Sequence, residues 1–209
     1  MSTTELDARQ RILNALAAAV ARDGYASAKV AQVAKDAHVS LRTFYEEFES
    51  KEEAFLTLHK QLIEFAANYL ESIVTYDRPW PEVMRGSFDA YLRLLLAQPK
   101  LTEAMMLELN ALSAEGRAAR QYARERMCST MILLVERGRE ANPDIPTRSL
   151  SPTMAQCLMG SIIELVTSGV VDDQSDRLDE FVDTTTDLLI SIIGNVDGKQ
   201  FRPAPVRAD

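Results

Sequence analysis

Residues 27–51, SAKVAQVAKDAHVSLRTFYEEFESK, constrain the fold more than any other stretch of the chain. They read as two very short helices joined by a tight turn. In the first, Val30, Val33, Ala34 and Ala37 recur at helical spacing and face a core, with Ser27 as the expected N-cap. The turn falls at Ala37, His38 and Val39. Ser40 is a good N-cap for the second helix, which hides Phe44 and Phe48 at i, i+4. Leu41, Arg42, Thr43 and Tyr45 are left outside that local core. Ser50-Lys51-Glu52-Glu53 is a capping box that starts a further helix. Helices this short are not stable alone. They persist only where three helices bury one another, and the free face of the last is then available to a DNA major groove.

The pattern Gly24, Val30, Val33-Ala34, Ala37-His38-Val39-Ser40, Thr43-Phe44-Tyr45, Phe48 and Ser50-Lys51-Glu52 resembles the helix-turn-helix domain of the tetracycline-repressor (TetR) family. The resemblance spans about residues 7–65; beyond it, only the helical architecture is similar. Three positions depart from the family pattern. His38 stands where glycine is usual, and histidine enters the left-handed region more readily than most residues. Ala28 replaces a common Thr or Ser, so Ser27 or Lys29 is expected to supply any phosphate contact there. Glu46 and Glu47 put carboxylates where neutral groups are common, and are expected to face solvent or to pair with Lys51.

Composition agrees with an all-α protein. The 209 residues are 46% hydrophobic, enough for one or two domains with a real core. Ala, Leu, Glu and Arg dominate over β-branched runs. The net charge of −8 is uneven, since residues 1–60 carry 8 Lys and Arg against 9 Asp and Glu. DNA affinity therefore needs local placement of Lys29, Lys35, Arg42 and Lys51, with a steep dependence on salt. An acidic remainder repels the duplex and favours one orientation. Cys128 and Cys157 sit in apolar helical patterns and are expected to be free, buried thiols.

The run ILNALAAAVA at residues 12–21 follows two arginines, as in a signal peptide. Glu5, Asp7 and Asn14 spoil that reading, and Ile12, Leu16, Ala19 and Val20 make one face of an amphipathic helix. No later segment is long enough to span a membrane. A cytoplasmic protein with no membrane partner is expected. There is no Gly-rich phosphate loop, no Cys/His set at metal spacing, and no nucleophile beside a histidine, since His38 lies in the turn and His59 on the fourth helix. The expectation is a non-enzyme with no cofactor and no bound metal.

Nine helices are predicted, over residues 4–23, 28–36, 40–47, 51–75, 81–97, 99–112, 115–140, 152–169 and 175–194. They divide into a helix-turn-helix domain at 1–50, an effector-binding and dimerisation domain at 51–194, and a flexible tail at 195–209, where Pro203 and Pro205 accompany little apolar content. The fourth helix is long enough, about 37 Å, to belong to both domains and couple them.

The last two helices are apolar on more than one side and need cover. As the resemblance implies, a homodimer is expected through Leu158, Gly160, Ile162, Leu165, Leu178, Val182, Thr185, Leu189 and Ile192, with two reading heads on a near-palindromic operator in double-stranded DNA. An effector pocket is expected among Phe65, Tyr69, Phe88, Tyr91, Met105, Glu108, Leu109, Tyr122, Met127, Met131 and Met159. Collectively, flexible methionines and aromatics suit a small hydrophobic ligand. Glu108 and Glu164 are inward carboxylates on their helical stripes, needing an arginine such as Arg120 or Arg85, or, for Glu108, a ligand group.

The DNA-binding residues expected are Ser27, Lys29, Ser40, Leu41, Arg42, Thr43, Tyr45 and Lys51. Arg42 would read a base edge, Leu41 and Thr43 a thymine methyl, and Ser27, Lys29, Tyr45 and Lys51 the phosphates. Two outputs fit: a repressor released by a small apolar or aromatic ligand, or a DNA-bound regulator that acts through a protein partner.

Overall fold

A computed structural model describes residues 7–109, 113–145, 147–171, 175–196 and 199–200. Nine helices run through them: α1 Ala8–Asp23, α2 Val30–Asp36, α3 Leu41–Glu47, α4 Lys51–Ile73, α5 Trp80–Leu96, α6 Pro99–Glu103, α7 Ala114–Ala141, α8 Pro152–Val171 and α9 Leu178–Ile193. Helix α6 continues as a π-helical turn, Ala104–Glu108, and a 3-10 turn, Ser175–Arg177, leads into α9. The fold is all-helical apart from one antiparallel pairing of Asn195–Val196 with Lys199–Gln200. That pairing lies within the segment expected to be flexible; 197–198 and 201–209 lie outside the described residues, as do 1–6 of the expected first helix and 110–112 of the sixth.

The chain forms two compact units, Met1–Phe65 with Leu96–Ala123, and Ala66–Leu95 with Arg124–Asp209. Helices α4 and α7 each contribute residues to both.

In the first unit, the Asp7 carboxylate accepts from the Gln10 amide at 2.7 Å and starts α1. Gly24, at φ 81, ends it by donating to the Val20 carbonyl. Helix α1 buries Ile12, Leu13, Leu16 and Val20 against Val33, Ala34, Phe44, Phe48 and Phe55. The α2–α3 turn forms as its chemistry requires. His38 takes φ 54, and the His38 and Val39 amides donate to the Lys35 and Ala34 carbonyls, both at 3.0 Å. That is a Schellman closure with histidine at the left-handed position. Ser40 caps α3 by accepting from the Thr43 amide at 2.9 Å.

Helix α2 starts two residues later than its spacing predicts, and Ser27 is not its cap. Lys29 is the N-cap and offers no side-chain bond. The reason is tertiary. Tyr25 stacks on Phe55 with ring centroids 4.4 Å apart, and Ala28 is buried. These contacts hold 25–28 as a turn, in which the Ala28 amide donates to Gly24 and Tyr25 carbonyls.

Helix α6 joins this core through Leu101, Ala104 and Leu109, with Met105 packed at its edge. Lys100 donates to the Arg22 carbonyl at the end of α1, at 2.7 Å. The π turn makes i→i+5 bonds, so residues past it leave the face that 3.6-residue spacing assigns them.

The second unit is built on stripes at i, i+3, i+4, i+7: Met84, Ser87, Phe88 and Tyr91 on α5, and Met127, Thr130, Met131 and Leu134 on α7. Helices α8 and α9 add Leu158, Met159, Ile162, Val166, Phe181, Val182, Leu189 and Ile193. Arg148 secures the end of α9: its amide donates to the Ile193 carbonyl at 2.8 Å and its Nε to the Ile192 carbonyl at 2.5 Å. Among the described residues, no helix is long and apolar enough to cross a membrane. Cys128 is buried, and burial pushes its thiol up. Cys157, expected to be buried, is exposed because it lies on the outer side of α8.

Candidate nucleic-acid interface and effector cavity

Two arginines of α1 set the reading helix. Arg9 lies over the Phe48 ring, 4.1 Å from its centroid, and donates from Nη1 to the Glu47 carbonyl at 2.6 Å. Arg11 donates from Nε to the Ala37 carbonyl at 3.1 Å. Each guanidinium thus meets the carbonyl end of a short helix, where a cation is favoured. Sequence reasoning missed both. Their signal was two cations just ahead of an apolar run, which a signal-peptide reading also claims.

With Phe44 and Phe48 buried, the outward face of α3 carries Leu41, Arg42, Tyr45 and Glu46, all exposed. Arg42 is the most open, with its side chain 88% exposed. Thr43 is half-buried, and its hydroxyl pairs with that of Ser40 at 2.8 Å. Ser27 and Lys29 are exposed beside the start of α2. The structure therefore keeps seven of the eight expected DNA contacts at or near the surface of one three-helix group.

Lys51 is the eighth, and its environment differs from the expected one. Its ammonium donates to the Tyr25 and Ala28 carbonyls at 2.8 and 3.1 Å and sits 4.1 Å from the Tyr25 ring centroid. Burial lowers its pKa, an effect that Glu108 opposes. Burial, with Glu52 and Glu108 adding to it, pushes Tyr25 up to about 12. Lys51 holds the turn that presents Ser27 and Lys29. Glu46 does not pair with Lys51. It accepts from Arg42 Nε at 2.8 Å, while Glu47 lies 3.8 Å from Arg9.

The eleven residues expected around an effector separate. Phe88, Tyr91, Met127, Met131 and Met159 line one cavity of about 30 Å³ in the second unit. Leu70, Met84, Ser87, Thr130, Leu134, Ile162 and Leu189 complete it. Phe65 and Tyr69 are exposed. Met105 and Leu109 pack into the core of the first unit, where Glu108 acts on Tyr25 and Lys51 rather than on Arg120 or Arg85. Tyr122 donates to Glu64 in that same unit. Glu164 is exposed rather than inward-facing.

The nine expected dimer residues also separate. Leu158, Ile162, Val182, Thr185 and Leu189 are covered within the chain itself, and two of them line the cavity. Leu165, Leu178 and Ile192 are half-buried and Gly160 is exposed. A Cβ at Gly160 would meet nothing within 4 Å, so the close helix contact expected there is not made within the chain. Among the described residues, no group of three or more His, Cys, Asp or Glu is placed to hold a metal ion.

A three-helix head whose short third helix keeps its outer face free defines a helix-turn-helix DNA-binding domain. Residues 12–58 match the family described as bacterial regulatory proteins, tetR family. The match covers the three-helix head and the start of α4. Similar folds occur in the FadR transcriptional regulator of Bacillus subtilis, solved with stearoyl-CoA (23% identity, 87% of this chain and 97% of that one, TM-score 0.71). The fatty acid degradation regulator FadR of Bacillus halodurans is alike (22%, 90% and 96%, 0.72). So is the FadR repressor of Thermus thermophilus, solved with lauroyl-CoA (20%, 96% and 100%, 0.67). None of the curated proteins compared matches the chain.

Proposed function

We propose that the chain is a repressor that binds a near-palindromic operator as a homodimer and is released by a small apolar ligand held in the second unit. The observation that carries the reading is the outward face of α3. Leu41, Arg42, Tyr45 and Glu46 are exposed on a helix whose opposite face is locked by Phe44 and Phe48. Arg42 addresses a guanine edge, where a bidentate contact contributes about 1–3 kcal/mol of discrimination. Leu41 and Thr43 meet thymine methyls. Tyr45, Ser27 and Lys29 fix register on phosphates, and Lys51 supports them through the Tyr25–Ala28 turn.

The second subunit covers the outer sides of α8 and α9, where Gly160 leaves room and Leu165, Ile192 and Leu188 remain partly open. Two heads then address successive major grooves about 34–36 Å apart. The four cavity methionines support an apolar effector, and the relatives solved with stearoyl-CoA and lauroyl-CoA support an elongated one. Release requires the ligand to prefer a dimer whose heads are wrongly spaced, by about 1–3 kcal/mol of coupling.

The cavity's small size favours a second reading, in which the same DNA-bound protein acts through a protein partner. Selection of sites from random DNA by the purified protein tests the common part. A palindrome with half-sites one or one and a half turns apart supports a dimeric reader; recovery of no motif would overturn both readings.

A further inference from the structure

We infer that the cavity of the second unit takes an uncharged, mostly apolar molecule bearing one hydrogen-bond acceptor, and that the Tyr91 hydroxyl binds that acceptor. The inference rests on the ligand-responsive reading above and narrows the chemistry of its effector.

Among the described residues three polar side chains line the cavity, and two have already given their hydroxyl protons to other acceptors. The Ser87 hydroxyl donates to the Val83 carbonyl at 2.8 Å. The Thr130 hydroxyl accepts from Arg126 Nη1 at 2.5 Å and donates to Glu71 Oε1 at 3.3 Å. Tyr91 is only 7% exposed as a residue and lines the cavity; its hydroxyl has no hydrogen-bond partner among the described residues and its oxygen is not fully covered. A hydroxyl left without a protein partner yet still accessible is free to pair with a ligand. Burial pushes the phenol well above its usual range, with Cys128 adding to the effect, so the group stays protonated and is available as a donor.

A single water is the simplest occupant of about 30 Å³. It fits by volume, but it would leave most of its surroundings apolar. Buried water is held by about three polar partners, and here Tyr91 is the one hydroxyl of the described lining with its proton uncommitted. The rest is hydrocarbon, aromatic ring and thioether. A molecule that is apolar except at one atom satisfies both the lining and Tyr91.

Charge is disfavoured for the same reason. Among the described residues, the lining contains no Lys, Arg, His, Asp or Glu. Arg126, which donates to Thr130, has Glu71 3.1 Å from it. An ionised group inside would therefore be uncompensated. Room for a larger body comes from Met84, Met127, Met131 and Met159, whose unbranched side chains repack readily.

Three probes of similar shape separate the possibilities in titrations of the full chain: acetophenone, which carries an acceptor, cumene, which does not, and benzoate, which is charged. Wild type is expected to bind acetophenone about tenfold more tightly than cumene, and benzoate not at all. Tyr91→Phe should reduce acetophenone affinity to that of cumene while leaving cumene unchanged. Equal affinity for acetophenone and cumene in wild type overturns the inference, whether or not the variant folds. So does preference for benzoate. If the two neutral probes bind equally and still release a selected DNA site, the apolar-effector reading stands and only the Tyr91 assignment falls. If none binds while the protein still selects a palindrome, both ligand statements fall and the DNA-binding reading remains.

Discussion

Arg42 donates from Nε to the Glu46 carboxylate at 2.8 Å, one helical turn away on the outward face of α3. The pair is solvent-exposed, so it contributes at most about 1 kcal/mol to folding. Its consequence lies in DNA binding. On the proposed reading, the guanidinium that addresses a base edge is held by a carboxylate that would lie in the phosphates' negative field.

Glu46→Gln is therefore expected to tighten binding to all DNA several-fold at low salt, with base preference kept. Arg42→Ala should instead flatten preference at one position of each half-site, by about 1–3 kcal/mol. Competition binding at several salt concentrations reads both. Weaker binding by Glu46→Gln would show that the carboxylate makes a favourable contact of its own.

Lys51→Ala separates a structural from a direct role. The ammonium makes two bonds to carbonyls and lies against the Tyr25 ring. Hydrogen bonds to a charged group contribute about 1.5–3 kcal/mol each at most, so a clear loss of stability in denaturant is expected. DNA binding should weaken while the slope of log K against log salt stays constant. A slope smaller by about one would instead mean a direct phosphate contact.

The parts of the head that were legible in the sequence are those decided by local chemistry. Gly24, His38, Ser40 and Ser50 act within a few residues of themselves, and the Phe44–Phe48 spacing needs only helical geometry. The start of α2 was not legible, because Tyr25 stacks on Phe55 from far along the chain. Met105, Glu108 and Leu109 were misplaced because α6 packs into the first unit and its π turn breaks the period on which face assignment depends. In α8 and α9, apolar residues on several sides left spacing unable to choose the covered face. The packed structure chose Leu158, Ile162, Val182 and Leu189.

His59 makes the first unit sensitive to acid. It is 4% exposed and its Nδ1 has no hydrogen-bond partner among the described residues, and burial lowers its pKa from 6.5 to about 4. Between those values the unfolded chain binds a proton that the folded chain does not. Stability is therefore complete above about pH 6.5 and falls as pH drops toward 4, by up to about 3 kcal/mol. Paired urea melts of wild type and His59→Leu at pH 7.5 and 5 measure this. The variant should lose less stability over that interval. Equal losses would assign the acid sensitivity to carboxylates.

Leu188 and Leu189 test which side of α9 meets a partner. Leu189 is 0% exposed and lines the cavity, whereas the neighbouring Leu188 is 37% exposed. Truncation of Leu189 to alanine should cost about 2–5 kcal/mol, as for a buried leucine, and alter probe binding. A charge at Leu188 leaves the chain's own core intact. If α8 and α9 of two subunits form the dimer, that charge is desolvated against the partner without a counter-ion. Leu188→Glu should therefore give a folded monomer by sedimentation, with near-normal helical content and greatly weakened binding to a two-half-site operator. A Leu188→Glu protein that still sediments as a dimer would place the interface on another face. A protein that is monomeric yet binds the operator as before would separate dimerisation from recognition.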